Sequence, residues 1–239
     1  MSNTYFQFKQ FIIHQERSAM KVCTDACLFG AWVAEKVGRW QMSVDSVLDI
    51  GTGTGLLSLM ITQKSNARID AAELDEQAAQ QAAENFELSS WKERLQVIQG
   101  DIRTLHLGKK YELIISNPPF FENDLKSTDQ QRNLALHSQE LSLVELLSLV
   151  NKHLSENGKF AVLLPYHRKD AFEKLAKEEG FFMEEEVCVK QTSTHNYFRV
   201  MFLFGREPVA VKKESIIIRD GEQYSSVFTE LLRDYYLKL

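Results

Sequence analysis

The sequence predicts an α/β fold: a mostly parallel sheet of about seven strands, helices on both faces, and an antiparallel hairpin added at one edge. Three observations predict it. Short apolar runs alternate with helical periodicities between residues 46 and 179. A glycine-rich turn, Gly51-Thr52-Gly53-Thr54-Gly55, follows directly on the first of those runs. Beyond residue 185 the strand-like runs follow one another without long helices between them. Alternation of the first kind needs long crossovers and so a parallel sheet, whereas the tail suits a hairpin.

Taken in order, Phe6, Phe8, Ile12 and His14 interleave with Gln7 and Lys9 in an imperfect period of two, which sets an N-terminal β extension before the main fold. Met20-Lys21-Val22-Cys23-Thr24-Asp25 then leads into the apolar segment 26–34 as a capped helix start. Strands are expected at 46–50, 69–72, 95–99, 111–116 and 159–164, and helices at 56–64, 76–88, 141–154 and 169–179. In the tail, 185–190, 197–204 and 215–219 read as strands and 224–236 as the last helix. With no internal repeat, low-complexity tract or linker, residues 1–239 are expected to form one domain. Its parts are an N-terminal extension with its helix (1–40), a core (41–205), and a C-terminal strand and helix (206–239).

Hydrophobic residues at 44% and charged residues at 26% are ordinary for a globular protein. The net charge of −5 excludes a protein that grips polyanions over its whole surface, so any nucleic-acid contact needs a local basic patch. The first residues lack a basic segment followed by an apolar core, and no apolar run has membrane-spanning length, so neither a secretory signal nor a membrane partner is expected. Three cysteines, Cys23, Cys27 and Cys188, argue against a disulfide framework and for a reducing cytoplasm. They complete no His/Cys cluster, and no metal is expected.

The glycine turn is the first functional signal. Glycines serve where the backbone must reverse tightly and let a ligand lie against it, in dinucleotide folds as well as others. Glu73 ends the next strand, where such folds present a carboxylate to two ribose hydroxyls. Asp101, in Gly100-Asp101-Ile102 after the third strand, can accept from the exocyclic amino group of an adenine while Ile102 lies on its face. Asp49, two residues before Gly51, selects among ligands. A pyrophosphate at this helix start would be repelled by an adjacent carboxylate, whereas S-adenosylmethionine carries a sulfonium and an ammonium and no phosphate.

The second signal is Asn117-Pro118-Pro119-Phe120, after the apolar run 111–116. It holds two of the chain's four prolines, which supply no N–H and hold the preceding residue extended. The result is a stiff acceptor edge: the Asn117 side-chain oxygen and the Pro118 carbonyl can each take one proton of a planar NH2. Phe120, with Phe121 beside it, can stack on the heterocycle that carries that group.

These residues resemble the Rossmann-like, class I S-adenosylmethionine-dependent methyltransferases, and Asn117-Pro118-Pro119-Phe120 matches the amino-group-methylating motif of that class. Met20-Lys21-Val22-Cys23-Thr24-Asp25, Leu28-Phe29-Gly30-Ala31-Trp32 and the segment from Leu231 to Lys238 look further like the bacterial tRNA1(Val) (adenine-N6)-methyltransferases, over essentially the whole chain. Cys23 departs from the glycine expected there. The resemblance implies methyl transfer to N6 of an adenine beside the anticodon of tRNA, at position 37, with Thr24 and Asp25 closing over the methionine end of the cofactor. Lys21 and Arg17 precede that pair, and Lys126 and Arg132 follow the catalytic segment, so all four are expected to border the pocket mouth and meet tRNA phosphates. A monomer without a stable protein partner is expected. The alternatives are the same chemistry on a protein glutamine, an rRNA guanine or a DNA adenine, and, more distantly, a dinucleotide-dependent oxidoreductase.

Overall fold

The computed structural model describes residues 3–40, 44–119 and 141–239. A short antiparallel pair, β1 (Tyr5–Gln7) and β2 (Ile12–His14), precedes the main sheet. That sheet is built from β3 (Ser46–Ile50), β4 (Arg68–Glu73), β5 (Leu95–Gln99), β6 (Tyr111–Ser116), β7 (Leu154–Pro165), β8 (Phe182–Lys190), β9 (Tyr197–Gly205) and β10 (Lys212–Ile217). Their spatial order is β10-β8-β9-β7-β6-β3-β4-β5, with β11 (Arg219–Asp220) and β12 (Gln223–Tyr224) as a small separate pair. Every pairing in the large sheet is parallel except those of β9, which runs antiparallel to both β7 and β8.

The central strands are largely apolar because both faces are covered. Val47 and Leu113 face one core, with α1 (Thr24–Arg39), α2 (Leu56–Thr62) and Phe86 of α3 (Glu76–Glu87). Leu48 and Ile114 face the other, with α4 (Leu143–His153) and α5 (Lys169–Glu178). Where α1 crosses α2, a Cβ added at Gly30 would lie 2.6 Å from Met60 Sδ, so the Met60 side chain would have to move to admit one.

Among the described residues the sheet has eight strands rather than about seven, and the β8–β9 hairpin is internal rather than at the edge. Val187, Cys188 and Val189 make β8 apolar and buried, and its outer backbone groups need partners that water does not reach. β10 supplies them, pairing Lys212 to Ile217 in parallel with Glu185 to Lys190. Lys212, Lys213 and Glu214 then present a charged rim that discourages further strand addition. β7 begins earlier than expected because Leu154 already pairs with Tyr111. The last helix, α6 (Ser226–Leu232), is shorter than expected. Its start is fixed by Ser225, whose hydroxyl accepts from the Phe228 amide at 3.2 Å.

After α6 the chain leaves helical geometry to clasp the N-terminal pair. Phe8 and Tyr236 form an antiparallel bridge, Lys9 N–H donates to the Tyr235 carbonyl at 2.8 Å, and the Phe8 and Phe11 rings stack 4.5 Å apart. Tyr235 is buried, and its hydroxyl donates to the Met60 carbonyl in the last turn of α2 at 2.9 Å. The clasp therefore fixes the helix that follows the glycine turn. Tyr235→Phe leaves that buried carbonyl without its donor and is expected to cost roughly 1–3 kcal/mol. Urea unfolding checks this: the midpoint should fall at unchanged slope, and an unchanged midpoint would take the hydroxyl out of the stability of α2.

Candidate active site

The chain runs outward through β3, β4 and β5, then returns to place β6 on the other side of β3. A crevice opens at the C-terminal ends of strands flanking such a reversal. Here it holds the glycine turn. Gly51, Gly53 and Gly55 have φ of 74°, 57° and 82°, left-handed values that other residues reach only with strain. Gly55 is doubly constrained, because an added Cβ would lie 2.5 Å from the Phe86 ring.

Neighbouring elements tie the turn down almost residue by residue. The Gly51 and Thr52 amides donate to the Ala72 carbonyl at 2.9 and 3.1 Å. The Gly53 amide donates to Glu73 Oε2 at 2.8 Å. Buried Asn85 on α3 donates to the carbonyls of Thr54 and His14, each at 2.9 Å, and accepts from the His14 amide at 2.9 Å. One amide side chain thus couples the glycine turn to the N-terminal pair.

Beneath the turn lies Asp49, fully buried. Its Oδ2 accepts from Thr52 Oγ1 and Ser58 Oγ, each at 2.7 Å. Its Oδ1 is buried without a hydrogen-bond partner. Burial, only partly offset by those two hydroxyls, pushes its pKa up from 3.8 to about 6. A buried carboxylate with an unpartnered oxygen is stabilised by a cationic ligand and destabilised by an anionic one. The donor set therefore fits a sulfonium- and ammonium-bearing cofactor.

The rim of the crevice is acidic. Glu73, at the end of β4, spends one oxygen on Gly53 and the other on the Asp75 amide at 3.0 Å, leaving further lone pairs for a ligand. Asp101 is gripped by Arg103, whose Nε lies 2.9 Å from both carboxylate oxygens and whose Nη2 lies 2.7 Å from Oδ2. The guanidinium holds the Asp101 carboxyl below the usual carboxylate range. Arg103 also reaches Glu145 on α4 at 3.4 Å. Arg103 is absent from the sequence-derived set, although a basic residue two positions after an aspartate in a tight turn is a readable signal for such a clamp.

A cleft of about 560 Å³ joins these parts, lined by Gly51, Glu73, Asp101, Ile102, Pro118 and Pro119, with Leu74, Arg103 and Leu141. A larger hollow of about 850 Å³ between α1, β10 and α6 contains no residue of either motif. The Lys36–Glu185 ion pair lies in its wall, and size does not mark the site. Asn117 follows β6 half-buried and Pro118 is buried. The preceding Ser116 donates from its hydroxyl to the Ile50 carbonyl at 2.9 Å, which ties the ends of β6 and β3 together. Phe120, Phe121, Lys126 and Arg132 lie outside the described residues.

The segment before α1 is arranged differently from its sequence reading. Thr24 is the first residue of α1, and the N-cap is Cys23, which makes no side-chain cap. The φ of −128° at Cys23 is extended backbone open to any residue, so the departure from glycine there carries no strain. Asp25 pairs with Arg199 Nε on β9 at 2.7 Å. Neither Thr24 nor Asp25 lines the cleft. Arg17 pairs with Glu84, and Lys21 Nζ donates to the Gln15 carbonyl, so both cations already have partners within the chain.

A left-handed glycine turn, a rim carboxylate at the end of β4 and the Pro118-Pro119 pair after β6 around one cleft, on a sheet of this order, define a Rossmann-like S-adenosylmethionine-dependent methyltransferase. The fold matches a predicted O-methyltransferase from Agrobacterium tumefaciens with a TM-score of 0.66 at 13% identity, over 88% of this chain and 96% of that one. It also matches a glycopeptide N-methyltransferase solved with S-adenosylmethionine, with a TM-score of 0.54 at 13% identity, over 74% and 94%. Residues 39–178 match the methyltransferase small domain. The chain is 40% identical over 245 residues to a tRNA1(Val) (adenine(37)-N6)-methyltransferase of Cytophaga hutchinsonii, with all of both chains covered. It belongs to that family of tRNA methyltransferases.

Because the folded-state pKa of Asp49 is raised, its contribution to stability is present at low pH and lost as pH rises through about 6. A cationic ligand reverses that bias by favouring the ionised form. Affinity for S-adenosylmethionine is therefore expected to fall about tenfold between pH 7 and pH 5. Asp49→Asn should bind more weakly at pH 7 and lose the pH dependence. Calorimetry across this range decides the matter, and an unchanged slope in the variant would remove Asp49 from cofactor binding.

Proposed function

We propose that this protein transfers the methyl group of S-adenosylmethionine to the N6 amino group of an adenine in tRNA, the adenine at position 37 of tRNA1(Val) for which its Cytophaga hutchinsonii relative is named. The observation that carries this reading is the Asn117-Pro118 acceptor edge directly after β6, whose Pro118 lines the same cleft as Gly51 and Glu73. Three free cysteines are in keeping with a reducing cytoplasm as the place of reaction.

When bound, S-adenosylmethionine supplies an electrophilic methyl on a sulfonium. Glu73 holds the ribose hydroxyls, Asp101 accepts from the cofactor's adenine, and Ile102 packs against that ring. Arg103 fixes the Asp101 carboxylate in its ionised, accepting form. The lone pair of the target amino group is delocalised into its ring and attacks poorly. Asn117 Oδ1 and the Pro118 carbonyl each accept one of its protons, which favours a pyramidal nitrogen and offsets the positive charge that develops there. Neither Pro118 nor Pro119 offers an N–H to compete for those acceptors. The rest of the rate comes from holding the nitrogen in line, and no strong general base is needed.

Two outcomes follow. Asn117→Ala is expected to keep cofactor affinity near wild type while lowering kcat on tRNA about a hundredfold or more. The readout is mass spectrometry of nucleosides from tRNA incubated with labelled S-adenosylmethionine. Label in glutamine, guanine or DNA adenine but in no tRNA would give the activity to one of those substrates instead. Glu73→Ala should weaken cofactor binding by about tenfold or more, since charge-assisted hydrogen bonds contribute roughly 1.5–3 kcal/mol each and the Gly53 amide also loses its acceptor. Wild-type affinity in calorimetry would move the ribose site elsewhere.

A further inference from the structure

The sheet edge beside the Asn-Pro-Pro segment carries a group of side chains that the methyl-transfer chemistry does not use. Ser116 lies opposite Val162, so β7 emerges next to Asn117 and continues through Pro165 into Tyr166. β9 then brings Arg199 opposite Pro165, and β8 ends with Lys190 opposite Tyr197. At that edge the Tyr166 and Tyr197 rings lie 5.0 Å apart, tilted by 36°. Lys190 Nζ sits 4.5 Å from the centroid of the Tyr197 ring. Both rings are partly exposed.

These rings pack on the same core as Ile50, Ala72 and Ile102, which line the cofactor cleft. Platform and cleft therefore share one face of the sheet, β7 lying two strand spacings, roughly 10 Å, from β3, and β9 four, roughly 19 Å, from β4. Among the described residues, neither Lys190 nor the neighbouring Arg168 makes an ion pair with a carboxylate. Arg199, on the opposite face, is neutralised by Asp25. In an acidic chain, two cations without a carboxylate partner among the described residues, near partly exposed aromatic rings, suit a flat ring carrying a phosphate. That is the chemistry of an unpaired nucleotide.

We propose that Tyr166, Tyr197 and Lys190 form a stacking platform for the unpaired nucleotide that flanks the target adenine. The flanking base lies on the tyrosine rings, and Lys190 with Arg168 takes its phosphate. Substrate is then positioned by its neighbouring base as well as by the target. This inference rests on the tRNA reading above.

The test compares steady-state methylation of a tRNA1(Val) anticodon stem-loop by wild type and by Tyr166→Ala, Tyr197→Ala, Lys190→Ala and the two Tyr→Phe variants. Each alanine variant at a tyrosine should raise KM for RNA about tenfold or more, with cofactor affinity and thermal midpoint near wild type, and the Phe variants should restore it. Lys190→Ala should lower the salt slope of binding by about one. A stem-loop abasic at one nucleotide adjoining the target should raise KM for wild type and have no added effect on Tyr197→Ala. An unchanged KM in both alanine variants, or an abasic penalty equal in wild type and variant, would overturn the platform while leaving the methylation reading in place. A wild-type protein that methylates no tRNA would overturn both.

Discussion

Between Ile50 and Leu56 the backbone turns left-handed three times, at Gly51, Gly53 and Gly55, and the rest of the ligand edge is positioned from that reversal. The turn starts α2, whose Met60 carbonyl is reached by Tyr235, and Tyr235 in turn anchors the clasp with Phe8. Its amides engage Ala72 and Glu73, so the strand that presents the rim carboxylate is also the strand that braces the loop. A side chain at Gly55 would strike Phe86, which is why the close approach of α3 and the shape of the turn are a single constraint.

The electrostatics of the cleft divide along the same lines. Asp49 is kept from water, and its pKa rises to about 6, whereas Asp101 is held by a guanidinium and titrates below its ordinary value. Desolvation without a counter-charge and a bidentate ion pair have opposite effects on the same functional group. The first carboxylate is thereby left short of a cation, and the second is kept as a permanent acceptor. A ligand with a positive end and an adenine end answers both conditions.

Net negative charge places a demand on the surface that the cleft itself does not meet. Arg17, Lys21 and Arg199 are each engaged by partners within the chain. The C-terminal ends of β7 and β8 meet that demand with partly exposed rings and cations lacking carboxylate partners among the described residues. Stacking is suited to such a chain because it gains affinity from apolar faces without requiring a strongly positive field.

The alternation of apolar runs and helical periods determined the parallel sheet, and the glycines after its first strand determined where the ligand edge would be. Glu73, Asp101 and the Asn117-Pro118-Pro119 segment were legible because each stands at a strand end, a position that local pattern reveals. The segment 215–219 likewise read as a strand, yet its pairing beside β8 did not, since its charged neighbours Lys212, Lys213 and Glu214 carry no alternating face. Only the tertiary structure decided that Asp25 meets Arg199, that Asn85 joins the glycine turn to His14, and that Tyr166 meets Tyr197. Periodicity records how near neighbours in the chain share a face. Which distant segments meet across the sheet is set by topology and packing, and those contacts leave no regular mark on the sequence that makes them.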